Sequence, residues 1–309
     1  MKETEYADAP WITVGHRLDG AMTAAEAFEQ SGLNFAVELK PLRAVVSPRQ
    51  SLPVDNAFAT VRTDSNQVLG IVGRKYFPLQ NDQALSFFDV LVDRREAIYH
   101  TAGLIQNGSK TWLLAKLPGY LRIGPSRDPI EKYVLLYNSH DGSSNVRCKL
   151  TSIRVSCSNT LSVALNGSDQ EVKIRHTASA TEKLATASSL LGITNHLYEQ
   201  LGLIFNNMAE RRATPKKIQE FLHELVPDND DAESKTRTRN IRDSILQIHN
   251  TDPLSVQHRN TVFGLVNSVS EYYDHSPHND AMKHLRSIWF NGNAEKQKIR
   301  AFQIAESML

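Results

Sequence analysis

The sequence predicts an α+β protein: an antiparallel sheet of consecutive β-hairpins with a packed helix, followed by a helical C-terminal half. Three observations predict it. Asp141-Gly142 and Asn107-Gly108 are turn dipeptides flanked by alternating apolar residues, a strong short-range hairpin signal. Asp64-Ser-Asn66 sits in the same way between residues 58–62 and 68–72. After Thr177 strand-type alternation gives way to helical periodicity. The chain therefore divides into residues 1–177, an α+β domain with antiparallel hairpins, and residues 178–309, a helical region able to pack on it.

Each element has a local reason. Trp11 is the expected anchor of an otherwise polar opening. Thr23 and Glu26 match a capping box for a short helix that Gly32 should end. Residues 35–46 alternate in part as a strand, Pro41 marks an edge or a bulge, and residues 47–57 read as a loop. Asn81 or Asp82 should cap a helix with Leu85, Phe88, Leu91 and Val92 on one face. Asn107-Gly108 joins residues 99–106 to 109–117, where Lys110, Trp112, Leu114 and Lys116 share a face.

A two-residue type I′ turn at Asp141-Gly142 would set Tyr137 opposite Val146, Leu135 opposite Cys148 and Tyr133 opposite Leu150. That makes one apolar face and leaves Arg147 and Lys149 on a basic solvent face. In the next strand Ile153, Val155 and Cys157 alternate with Arg154, Ser156 and Ser158, which buries Cys157. A helix is expected from Ser158 or Asn159 through Leu165. Farther on, Leu190, Leu197 and Ile204 recur at heptad spacing with Leu201 and Met208 between them, a coiled-coil-like seam so short that a helix packed on its own domain is favoured over a subunit interface. Thr214-Pro215 opens the next helix, and an acidic loop at 227–231 closes it, followed by Lys235, Arg237, Arg239 and Arg242. Further helices are expected over 255–273 and 293–309.

The formal net charge of +1 excludes a protein that is basic throughout, so a polyanion surface has to be local. The opening residues lack an apolar signal core, and no apolar run approaches the roughly 18 residues of a membrane span, so a cytoplasmic protein without membrane contact is expected. Two cysteines form no metal framework of CxxC pairs, and no cofactor is expected.

Three stretches carry a resemblance: Asn138-Ser-His-Asp-Gly-Ser, Arg154-Val-Ser-Cys-Ser-Asn-Thr-Leu161 and Ile174-Arg-His-Thr177. Upstream, Leu69-Gly-Ile-Val-Gly-Arg-Lys-Tyr76 with Gln80-Asn81, and Thr101-Ala-Gly103 with Trp112, extend it. Downstream, Asn267-Ser-Val-Ser-Glu-Tyr-Tyr-Asp-His275 does so more loosely. In order and spacing they resemble the phage/plasmid-like protein family, domain of unknown function 932. The resemblance implies a setting in phage, plasmid or prophage DNA and brings no reaction with it.

Four places in the chain hold residue types that could carry chemistry. Cys157 with His140 or His176 has the residue types of a thiol nucleophile and its base, but its place on an apolar face argues for a buried structural thiol. His140, Asp141 and His176 are the residue types for a metal-assisted nuclease or other phosphoryl-processing enzyme, although Asp141 is already explained by its turn. The Gly70 and Gly73 region lacks the following helix and lysine of a phosphate loop and reads as a bulge or close backbone contact. The fourth place is a nucleic-acid surface of Arg147, Lys149, Arg154 and Arg175, extended by Lys110 and Trp112, with Asn145 and Asn159 as polar donors. The leading expectation is a non-enzymatic, oligomeric single-stranded DNA-binding or annealing protein. It predicts salt-sensitive binding that weakens when Arg147, Lys149 and Arg154 are replaced together. The alternatives are the enzyme just described and a protein-interaction factor that works through the helical half.

Overall fold

The structure, a computed structural model, describes residues 10–18, 23–84, 97–125, 128–154, 160–161, 171–180, 191–228, 232–251, 253–275 and 278–309. Two antiparallel sheets make up the first half. The larger is seven-stranded, in the order β1 (His16–Arg17), β5 (Ile98–Ile105), β6 (Lys110–Ile123), β7 (Asp128–Ser139), β8 (Val146–Arg154) and β10 (Glu171–Ile174), with β9 (Thr160–Leu161) also on β8. The smaller is three-stranded: β2 (Val37–Ser47), β3 (Gln50–Arg62) and β4 (Val68–Gly73). The helices are α1 (Pro10–Val14), α2 (Ala24–Gln30), α3 (Leu191–Glu210), α4 (Pro215–Leu225), α5 (Ala232–Thr251), α6 (Val262–His275), α7 (Ala281–Trp289) and α8 (Asn293–Ser307). Sheets first and helices after make the chain α+β, as its sequence predicts.

Both faces of the large sheet are covered. Leu113, Ala115, Val134, Leu136 and Val146 face a core built with Tyr198, Leu201, Phe205, Met208, Phe221, Phe263 and Phe302 of the helical half. Trp112, Leu114, Tyr133, Leu135, Tyr137 and Ile153 face a second core with Trp11 and with Leu285, Ile288 and Trp289 of α7. Trp11 is the anchor: its ring stacks on Trp289 at 5.2 Å, and Trp289 meets Trp112 edge-on at 5.3 Å.

Several local signals act as read. Thr23 and Glu26 form the reciprocal capping box, and Gly32 has φ +69° at the helix end. Gln106, Asn107 and Gly108 all take positive φ between β5 and β6, and Asn66 does so between β3 and β4. Pro41 sits at a register shift of β2. Thr214 caps α4.

Three expectations are corrected. The β7–β8 connection is no two-residue turn: β7 ends at Ser139, β8 begins at Val146, and Tyr137 pairs with Arg147, Leu136 with Cys148 and Leu135 with Lys149. The one-residue difference puts Arg147 and Lys149 on the face of Tyr137 and Leu135, and half-buried Cys148 on the opposite one, packed against the helical core. Thr160–Leu161 form a strand on Ser152 and Ile153 where a helix start was expected. Beyond β10 the edge of β8 has backbone groups to satisfy, and pairing them outweighs a cap preference. Residues 50–57 belong to β3, so β2 and β3 make a long ribbon turning at Pro48-Arg49. The heptad seam, by contrast, packs on its own chain as the favoured reading has it: Leu197, Leu201 and Met208 are buried and Ile204 packs on the same core. Leu190, Cys157, Asn159 and the helix positions Leu85, Phe88, Leu91 and Val92 lie outside the described residues.

The small sheet approaches the large one closely at Gly70. A Cβ there would lie 2.5 Å from Asp141 Cα and 2.8 Å from its carbonyl oxygen. Gly70→Ala should therefore cost about 1–3 kcal/mol through forced separation. In urea unfolding Gly73→Ala is the comparison, because nothing lies within 4 Å of a Cβ at that position.

Candidate functional site

The polar residues singled out in the sequence meet where β4, the ends of β6 and β7, and the segment after β10 come together. Asp141 lies at the centre. Its carboxylate accepts from Ser139 Oγ at 2.5 Å, from the Ser143 main-chain nitrogen at 2.9 Å and from Lys110 Nζ at 2.9 Å. Lys110 also reaches Ser143 Oγ and Ser139 Oγ. Burial raises the Asp141 pKa, but hydrogen bonds from Ser139, Ser143 and Lys110 outweigh it and hold the carboxyl down at about 2. The residue that looked like a turn former instead organises the loop around its own side chain.

His140, next in the chain, is fully buried. Its main-chain nitrogen donates to Ser109 O at 2.8 Å, and Nε2 meets Asn81 Oδ1 at 2.9 Å. Asn81 Oδ1 also accepts from Thr111, and Asn81 Nδ2 donates to Leu33 O. Gln80 exchanges two 2.9 Å hydrogen bonds with the Val37 backbone. Asn138 Nδ2 donates to Leu79 O at 2.9 Å. These amides fasten the small sheet and the 79–81 segment onto the large sheet. A cavity of about 10 Å³ beside Asn81 and Asn138 has room for about one water.

His176, buried in the same region, stacks on Tyr76 at 4.7 Å, and neither of its ring nitrogens has a hydrogen-bond partner. Tyr76 donates its hydroxyl to Ser139 O at 3.0 Å, and the Phe77 main-chain nitrogen donates to His176 O at 3.0 Å. Burial pushes His140 down to about 3, aided by His176 and opposed by Asp141. Burial likewise pushes His176 down to about 4, opposed by the Phe77 backbone and Asp141.

His140, Asp141 and His176 therefore come together, within electrostatic reach of one another. They do not make a metal centre: among the described residues no group of three or more His, Cys, Asp or Glu is arranged to hold an ion. The Asp141 carboxylate faces Lys110 and the two serines.

The expected basic face is dispersed. Lys110 is buried in its ion pair, and Trp112 is buried against Trp289. Lys149 pairs with Glu295 and donates to Trp289 O. Arg147 is half-buried over the Tyr137 ring, 5.8 Å from its centroid. The physical reason is that α7 and α1 cover the face to which the true register assigns these residues. Asn145 is half-buried in the loop. Arg154 ends β8, while its side chain, like Asn159, lies outside the described residues. Among those whose side chains are described, only Arg175 stays on an exposed surface, and there it has neighbours the sequence reading passed over. The Phe77–His176 hydrogen bond brings exposed Arg74, Lys75 and Phe77 beside exposed Lys173 and Arg175. Phe77 is 49% exposed. The readable signal was Arg-Lys-Tyr-Phe itself, two cations and two aromatics in a row.

Residues 68–298 match the family described as Domain of unknown function (DUF932). The chain belongs to this family. The match spans β4 to α8 and takes in the polar cluster and the basic edge, while the β2–β3 ribbon lies before it. No curated protein and no solved structure matches the chain. No helix among the described residues is long and apolar enough to cross a membrane.

The neutral buried imidazoles have a pH consequence. The unfolded chain protonates histidine near pH ~6.5, whereas folded His176 stays neutral down to about 4. Below pH ~6.5 the unfolded state therefore binds more protons, so stability is full above that value and falls as pH drops toward 4. His176→Phe keeps the stack on Tyr76 and removes the titration. It should leave the melting temperature at pH 7.5 nearly unchanged and recover up to about 3 kcal/mol of the loss at pH 4. A wild-type pH profile in the variant would show that His176 takes no part.

Proposed function

We propose that this protein is a non-enzymatic nucleic-acid-binding protein of the phage and plasmid setting, one that holds single-stranded DNA during recombination or replication and works as an oligomer. The observation that carries the reading is that the Phe77–His176 backbone hydrogen bond joins two stretches with exposed cations, Arg74 and Lys75 before exposed Phe77 and Lys173 and Arg175 before His176. Clustered cations follow a phosphate backbone, and an exposed aromatic stacks on an unpaired base whatever its identity. Arg74, Lys75 and Arg175 therefore replace Arg147 and Lys149 as the residues on which binding should depend. A hydrolytic role has less support, since the Asp141 carboxylate is neutralised by Lys110.

The oligomer contact in this reading is the β2–β3 ribbon and not the covered heptad seam. Cross-strand pairs Leu42–Val54 and Ala44–Leu52 give the ribbon one apolar face, where Leu52 is 50% exposed. An isolated two-stranded ribbon is marginal in water, so joining copies along that face would stabilise it.

Fluorescence anisotropy with labelled single-stranded and duplex oligonucleotides across a salt series tests the binding. Single strands should bind preferentially. Replacing Arg74, Lys75 and Arg175 by alanine should weaken binding at least ~10-fold and lower the log–log salt slope by about 2, at ~0.7 per phosphate contact. Salt-independent binding, or a triple variant that binds like wild type, overturns the reading. Light scattering on the Leu52→Asp, Val54→Asp double variant should give a smaller particle than wild type. An unchanged mass would remove the ribbon from the assembly.

A further inference from the structure

A second cavity, far larger than the one beside Asn81, plays no part in the reading above. It measures about 370 Å³ and is lined by Pro10 and Thr13 of α1, Asp274 and His275 at the end of α6, and His278 and His284 at the α6–α7 connection and on α7. His284 is only 4% exposed, and its Nε2 lies 2.9 Å from the Asp274 main-chain carbonyl oxygen. A carbonyl only accepts, so the proton sits on Nε2 and the lone pair on Nδ1. That Nδ1 is buried without a hydrogen-bond partner, and so is His275 Nε2. The exposed ring of His278 lies against His284, with 3.6 Å between ring centroids. The Asp274 carboxylate is already committed to Lys298 at 2.5 Å in a buried ion pair.

The donors offered to the cavity are therefore imidazole nitrogens. Imidazole suits zinc, nickel and copper, whereas magnesium and calcium call for oxygen ligands. A ring whose far N–H is held by a backbone carbonyl, leaving the near nitrogen bare, has the outer-shell arrangement usual for a metal-bound histidine. We propose that this cavity binds a divalent late transition-metal ion through His284 Nδ1 and His278, with His275 supplying the third nitrogen. No three such side chains already converge on one ion position among the described residues. Uptake therefore requires the His278 ring, on the exposed rim, to swing off His284 and close again over the ion. The ion would tie the α6–α7 connection to the end of α6.

The test uses the full chain without a histidine tag. Zinc is titrated by calorimetry, and cobalt by its visible absorption bands, which report nitrogen coordination directly. Wild type should show a single saturable site for each metal and melt at a higher temperature with zinc bound. His278→Ala alters an exposed residue and should weaken binding at least tenfold. His284→Gln keeps a donor for the Asp274 carbonyl and should abolish the site. His223→Ala, at an exposed histidine of α4, should leave both titrations unchanged. Absence of a saturable site in wild type overturns the proposal. So do titrations that His278→Ala and His284→Gln leave unaltered, which would assign the ion to others among the eleven histidines.

Discussion

The Asp141 carboxylate decides which way the central strands face. It gathers Ser139, Ser143 and Lys110 around itself, so the chain leaves β7 and enters β8 through a loop longer than a type I′ turn. Strand side chains alternate, so this loop length determines which face every β8 side chain occupies. Lys149 is sent to meet Glu295, and Arg147 to lie over Tyr137. Cys148 and Leu150 turn to the helical core. Cations that would lie in solvent in the alternative register become part of the packing between sheet and helices. Lys110 is indispensable to this arrangement, because without it the carboxylate at the centre of the loop has no opposite charge.

What was legible in the sequence was local. A capping box needs Thr23 and Glu26 only, a hairpin needs Asn107-Gly108 and its flanks, and both formed as read. What was illegible depended on partners distant in the chain. Trp112 between two lysines looks like a surface platform until Trp289 is brought onto it. Thr160 looks like the start of a helix until the edge of β8 claims it. Pro53 looks like a loop residue, yet it pairs opposite Arg43 in a ribbon exposed enough to tolerate the missing amide hydrogen. The candidate site divides the same way. Arg175 is exposed as a polar-face residue should be, and the convergence of His140, Asp141 and His176 could be guessed from neighbouring motifs. The commitment of Asp141 to Lys110 could not.

Chain neighbours that differ in burial also explain how motif residues that fasten the fold can lie beside residues suited to binding. Tyr76 and His176 turn inward and stack, while their immediate neighbours Phe77 and Arg175 turn outward. One backbone hydrogen bond, Phe77 to His176, links the two stretches that carry the inward pair and the outward pair. A substitution at either inward ring would therefore disturb the outer edge without touching it. The positions of the outer side chains are inherited from the inner ones.

The chain contains three tryptophans, and all three stand in one cluster: Trp11 on α1, Trp112 on β6 and Trp289 on α7. Indoles this close exchange excitation, so their emission and near-ultraviolet ellipticity belong to the cluster and not to any one ring. The cluster joins the first described helix, the centre of the large sheet and a helix near the end of the chain. Peeling α1 or α7 from the sheet removes one member and changes the signal of the other two. The protein thus has a built-in optical gauge of whether its two ends are docked on its middle.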